Sequence, residues 1–226
     1  MKASQPASLA VLATAVLVFI AACRNSQHTP QPASQQAYRT EAAPAAEQNF
    51  DYYLLNLSWS PEFCYSHPDA IECSEHAAFV LHGLWPQRAS GGYSENCSEA
   101  PGPRDAAQYS DLYPDPELLR HEWRTHGTCS GLTPDAFFSL ARKAVHSVTI
   151  PAKLASLDHQ VSIPRDEIVD LFTHANPSIP ASSLVISCGN NYLTAVEVCL
   201  SKALEPTACG PIRSCRANTV RIPPPR

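Results

Sequence analysis

Nine cysteines constrain this chain more than any other feature. Cys23 closes an N-terminal apolar run and stands apart from the rest. Setting it aside leaves eight: Cys64, Cys73, Cys97, Cys129, Cys188, Cys199, Cys209 and Cys215. The set is even and contains no C-x-x-C pair, which argues against a zinc knuckle or a thioredoxin-like motif. Four disulfides closed in an oxidising compartment are the simpler account. Spacing cannot choose among the 105 pairings that eight cysteines allow.

The N-terminus points independently to export. Lys2 is the only charge before the apolar run Leu9–Ile20, and the small residues Ala21 and Ala22 follow. This is the layout of a secretory signal over residues 1–22. The run of twelve residues is short of the roughly twenty that a membrane-spanning helix needs. Ile20-Ala21-Ala22-Cys23 resembles the bacterial lipobox, whose cysteine is acylated and becomes the new first residue. The resemblance implies a lipid anchor on Cys23, and Arg24 in place of Asp leans towards the outer membrane. Without acylation, a periplasmic or secreted protein is expected. Residues 23–48, rich in Gln, Ala, Pro and Ser, read as a flexible tether with little to bury. Residues 49–226 fit one domain, with a monomer as the default.

Within that domain, Asp51–Ser60 reads as a buried strand ended by Pro61, and Ala77–Leu81 as a short strand leading into His82. Glycines and prolines between Pro86 and Tyr113 indicate a long loop region. Helices are expected over Pro116–Thr125, from Pro134 (capped by Thr133) to about Val148, and over Pro164–Ala175. Leu184–Cys188 and Leu193–Leu200 flank Gly189-Asn190-Asn191 as a hairpin. Early strands, middle helices and late strands predict an α+β domain with an antiparallel sheet.

Two segments carry the chemistry: His82-Gly83-Leu84-Trp85-Pro86 and His121-Glu122-Trp123-Arg124-Thr125-His126-Gly127-Thr128-Cys129. A histidine after a buried strand can be aimed into a cleft by a rigid element. Glu122 and His126 lie four apart on one helix face, so the carboxylate is expected to orient the ring and stabilise its protonated form. His121 and Arg124 lie on the adjoining row. The pattern is one residue too long for His-Glu-x-x-His, and on a regular helix the second imidazole rotates away, which disfavours a metal. No G-x-S-x-G elbow is present. Paired acid and base histidines remain, suited to moving protons near neutral pH.

HGLWP and HEWRTHGTC resemble the two active-site segments of the T2 family of ribonucleases, usually written HGLWP and HEWxKHGTC. YYLLNLSWSPEFC resembles the family's first strand, and the resemblance runs from Phe50 to Cys215. It implies a metal-independent, cofactor-free endonuclease of single-stranded RNA. The 2′-hydroxyl attacks phosphorus and leaves a 2′,3′-cyclic phosphate, so DNA survives. By resemblance His126 is the base, His82 the acid, His121 a phosphate contact and Glu122 a support for transition-state charge. An acid-leaning pH optimum follows, because histidine must act in both protonation states. Trp85 and Tyr93 are candidate stacking surfaces for bases, and Gln87 a candidate base-reading residue. Trp123 is expected to pack its helix onto the sheet, and His28, His67, His76, His146, His159 and His174 are given no role. The family pattern further implies the pairs Cys64–Cys73, Cys97–Cys129, Cys188–Cys215 and Cys199–Cys209. With a net charge of −5 at pH 7, the chain cannot hold RNA by bulk electrostatics, so contacts must be local.

One departure stands out. The family's usual lysine before the second histidine is Thr125, which can donate a hydrogen bond but carries no charge. Reduced turnover is expected, with Arg124 as a partial substitute. The alternative reading is a weakly active or inactive surface lipoprotein that binds RNA or protein on the same scaffold.

Overall fold

This computed structural model describes residues 49–75 and 77–225. The signal, the tether and Cys23, like His28 and His76, lie outside the described residues. No helix among those described is long and apolar enough to cross a membrane.

The first strand, β1 (Tyr52–Trp59), is buried along its whole length. Alternation divides it between two faces. Tyr53, Leu55, Leu57 and Trp59 enter the main core, while Tyr52 and Leu54 join Cys199 in a smaller cluster bordered by Trp85, Cys209 and Ile212. Pro61 ends the strand as expected, but the chain turns directly into helix α1 (Ser60–Ser66), because proline is compatible with a helix's first turn.

The second strand, β2, runs Phe79–Gln87. The expectation that it stops before His82 is corrected: HGLWP lies inside the strand. Gly83 and Pro86 look like turn residues, yet β2 is the edge of a sheet ordered β2-β1-β5-β6-β3. An edge strand tolerates proline because one side of its ladder is unpaired. The register changes at one point, with Asn56 opposite Gly83 and Leu57 opposite Leu81. His82 is therefore the extra residue of a β-bulge, which bends a strand and re-aims side chains. The bulge lets Leu81 and Leu84, three apart, both reach the core, at 5% and 0% exposure.

Helix α2 (Pro116–Thr125) begins where Asp115 accepts a hydrogen bond from the Glu117 N–H at 2.8 Å. In α3 (Pro134–His146) the Thr133 hydroxyl caps the Ala136 N–H. A short α4 (Ala152–Ala155), β3 (Val161–Pro164) and α5 (Arg165–Ala175) follow. The expected hairpin forms from β4 (Leu184–Gly189) and β5 (Tyr192–Ser201), and both Asn190 and Asn191 adopt positive φ. Two successive left-handed residues give the twist a two-residue hairpin requires. Strand β5 pairs antiparallel with β1 and β4 and meets β6 (Thr219–Ile222) in parallel at Tyr192–Arg221, so the sheet is mixed and not wholly antiparallel. Trp123 packs α2 against Phe137 and Phe138 of α3, in the same core cluster as the inward residues of the sheet.

The four bridges are Cys64–Cys73, Cys97–Cys129, Cys188–Cys215 and Cys199–Cys209, with Cα separations of 5.0–5.7 Å. The second closes a 32-residue span onto the end of α2. Beside it, Asn96 N–H donates to Thr125 O and Cys97 N–H to Thr128 Oγ1, at 2.9 and 3.1 Å. Replacing both Cys97 and Cys129 by serine should cost about 2–5 kcal/mol in unfolding free energy and also lower turnover. The same change at Cys64 and Cys73, away from α2, should lower stability alone. Equal activity losses from the two pairs in denaturant titration and kinetics would remove the special role of Cys97–Cys129.

Candidate active site

Strand β2 and the end of α2 bring the two segments together. The centre of the site is the Trp85 indole. Its ring lies 5.4 Å from that of His82 and 5.0 Å from that of His126. Its Nε1 donates a 2.8 Å hydrogen bond to Glu122 Oε2, while Glu122 Oε1 stands 3.8 Å from His82 Nε2. Gly83 makes this approach possible, since a Cβ there would collide with both Glu122 Oε2 and Trp85 Nε1.

Glu122 departs from its expected part. It is fully buried, and desolvation pushes its carboxyl up to about 8 despite the indole hydrogen bond that favours the charged form. Below that pH it is a neutral acid turned to Trp85 and His82, and not an anionic partner for His126. The reason is local. Helix α2 ends at Thr125, and His126 is its cap with φ −115°, well away from the helical value near −63°.

The same irregularity corrects the expectation that the ring of His126 rotates away from His121. Their centroids are 6.4 Å apart. One donor atom from each of His121, Glu122 and His126 lies within 4.8 Å of the others, a spacing that could hold a cation. The helical argument against a metal therefore does not apply here.

His126 is 7% exposed and its Nδ1 has no hydrogen-bond partner among the described residues. Burial, together with His121 and His82, lowers its imidazole to about 4. Partial burial and His121 lower His82 below 6.5 as well. Two neighbouring imidazoles thus lose protons more readily than free histidine, with His126 the stronger effect.

Tyr93 reaches the site: it is 54% exposed, with its ring 6.1 Å from that of His126. A turn through Gly91 and Gly92, both at positive φ, brings it back to bridge Gln87. Asp51, Arg88 and Ser94 fix that turn: the Ala89 N–H donates to Asp51 Oδ2, and Arg88 Nη2 donates to Ser94 Oγ. Those three residues, and Thr128, hold the site in place yet carry no local sequence signal, because their pairings form only on folding. Gln87 is in the floor, 5% exposed. The Thr125 hydroxyl sits 3.5 Å from His121 Nδ1. Arg124 is exposed and makes no side-chain contact among the described residues, so it does not join the cluster. His67, His146, His159 and His174 are all exposed.

The model of the Ribonuclease T2 family matches residues 50–209. The chain belongs to the ribonuclease T2 family. A ribonuclease of Aeromonas hydrophila is 45% identical over 108 residues, 47% of this chain and 50% of that protein. Ribonuclease DdI of Dictyostelium discoideum is 29% identical over 177 residues, 68% of this chain and 75% of that protein. The chain spans about half the length of the first curated relatives it matches. Among solved structures, an RNase-related protein from Calystegia sepium superposes with a TM-score of 0.64 at 23% identity, covering 77% of this chain and 97% of that one. Ribonuclease MC1 from bitter gourd seeds gives 0.61 at 23% identity, covering 76% and 99%. The two solved structures share the fold of this chain.

Proposed function

We propose that this T2 family member is an exported endoribonuclease that cleaves single-stranded RNA without a metal. The observation that carries the reading is two imidazoles, His82 and His126, resting against one indole beside a buried carboxyl group. His126 takes the proton of the 2′-hydroxyl as its oxygen bonds to phosphorus. The bond to the 5′-oxygen breaks, and that oxygen takes a proton from His82. The products are a 2′,3′-cyclic phosphate and a free 5′-hydroxyl, and solvent resets both rings. His121 faces a phosphate oxygen. Glu122, neutral at acid pH, holds Trp85 by a hydrogen bond, faces His82 at 3.8 Å and supplies no counter-charge. Trp85, Gln87 and Tyr93 line the base side; RNase NT, which shares the fold at a TM-score of 0.57, is described in complex with 5′-AMP. We further propose a periplasmic or lipid-anchored location through Cys23, and a monomer.

Dinucleoside monophosphates test this. Cleavage to cyclic phosphate ends, insensitive to EDTA and absent on the deoxy analogue, supports it. Loss of activity with EDTA would move the reaction to a cation held by His121, Glu122 and His126.

The pH profile follows from the two imidazoles. The base must be unprotonated, so the acid limb follows His126 near 4. The acid must be protonated, so activity falls as pH rises through the value of His82, below 6.5. A bell in kcat/KM peaking between these limits is expected, since that parameter reports the free enzyme. A plateau persisting to pH 8 would overturn the assignment of roles.

Thr125 favours the binding-only alternative. Thr125→Lys places a cation beside His121 and should raise turnover about tenfold, as one charge-assisted contact of about 1.4 kcal/mol would. Unchanged kinetics would mean that the missing charge does not limit this protein.

A further inference from the structure

The 21 residues from Pro206 onward carry four arginines and no Asp or Glu, in a chain whose net charge is −5. Two of the four stand together. Arg213 and Arg216 line an open cavity of about 450 Å³ with Ser187, Asn190, Asn191 and Ser214. Both are exposed, and neither has a carboxylate, a carbonyl or a ring as partner among the described residues. Arg120, Arg142, Lys153 and Arg165, by contrast, are each neutralised by a nearby acid. The backbone that carries the pair is fixed on both flanks. Cys215 is bridged to Cys188, and Ser214 Oγ accepts from the Ile186 N–H at 3.1 Å.

The segment that carries the pair begins at the base side of the site. Gly210 lies against the Arg88–Ala89 backbone, and Pro211 packs next to Gly91, in the turn that carries Tyr93. Ile212 packs on the Tyr52–Leu54 cluster that Trp85 also borders. Arg213 is the next residue, and Arg216 lies three further on. A path of fixed backbone thus leads from the aromatic pair Trp85 and Tyr93 to two unpaired guanidinium groups. Guanidinium forks match phosphate oxygens, and unpaired ones retain their charge for a ligand.

We infer that Arg213 and Arg216 form an outlying phosphate subsite for the RNA strand that leaves the cleft on the Trp85–Tyr93 side. The inference rests on the ribonuclease reading and adds a length preference to it: substrates long enough to reach the pair gain affinity, and a dinucleotide does not. In a chain that is acidic overall, such a local track is the means by which a polyanion is retained.

The test is Arg213→Gln/Arg216→Gln, assayed on a dinucleoside monophosphate and on a decanucleotide. Dinucleoside kcat/KM should be unchanged, which also shows that the variant folds. Decanucleotide kcat/KM should fall at low salt. Raising salt from 50 to 200 mM should cost the parent about sevenfold more than the variant, the effect of two single-strand phosphate contacts. Equal loss on both substrates, or none on either, overturns the subsite. So does a variant that loses binding to phosphatidylglycerol vesicles while cleaving the decanucleotide normally, because the arginines then serve a lipid surface. No dinucleoside cleavage by the parent defeats the ribonuclease reading itself, and the subsite with it.

Discussion

Alanine at position 126 should lower kcat by about 10² to 10⁴-fold, the range typical of one positioned proton-transfer group. KM should change little, since the proposed function assigns the bases to Trp85 and Tyr93 and the phosphate to His121. His82→Ala should fall in the same range, because the proposed mechanism gives each ring half of one displacement. The double variant should be hardly worse than the poorer single one: groups acting as a unit do not add. Because His126 is buried, His126→Gln serves as a second variant that keeps volume and polarity, and it should be equally inactive if the proton matters. Purified variants assayed at the parent's pH optimum decide the matter. Turnover within threefold of the parent for either substitution would remove that residue from the chemistry.

Gly83→Ala should be nearly as damaging, although it adds one methyl group to a residue that touches no substrate. The new carbon would occupy the space where Glu122 Oε2 meets Trp85 Nε1. Either that 2.8 Å hydrogen bond opens or β2 shifts. Both move His82, whose ring contacts the indole and faces Glu122. Displacing a reacting group by about 1 Å costs about 10²-fold in rate, and overpacking costs roughly 1–3 kcal/mol in stability. Gly102→Ala is the control, since its Cβ would meet Trp123 at an ordinary 3.6 Å. Full activity in Gly83→Ala would show that the close approach of acid, indole and strand is dispensable.

The elements that were legible in the sequence are those with local signals. Pro116 and Thr133-Pro134 announce helix starts, and both helices form there, with Asp115 as the cap of the first. Alternation and bulk in YYLLNLSW mark a buried strand. The cysteine pairs follow from the family resemblance and not from spacing, whereas the clustering of His82, His121 and His126 is expected first from the strand end and the helix rows and then from that resemblance. The errors lie where tertiary structure overrides local preference. Pro86 reads as a breaker, but an edge strand accepts it. Glu122 reads as an anion, but burial beneath Trp85 favours its neutral form. His126 obeys no helical spacing because the helix ends one residue earlier. Strands β3 and β6 are four residues each, too short to show a period, and form by pairing with each other, β6 also meeting β5 at Tyr192–Arg221.

The bulge at His82 has a consequence for what maintains the site. A strand lacking His82, the extra residue, would still place Leu81 and Leu84 inward and Trp85 outward, and it would pair with β1 without interruption. The hydrophobic interior is indifferent to the additional residue. What requires it is that two consecutive positions, one bearing an imidazole and one bearing nothing, point the same way. Robust folding therefore offers no assurance of competence in this protein: a molecule trimmed by a single codon there can be a sound scaffold and an empty one.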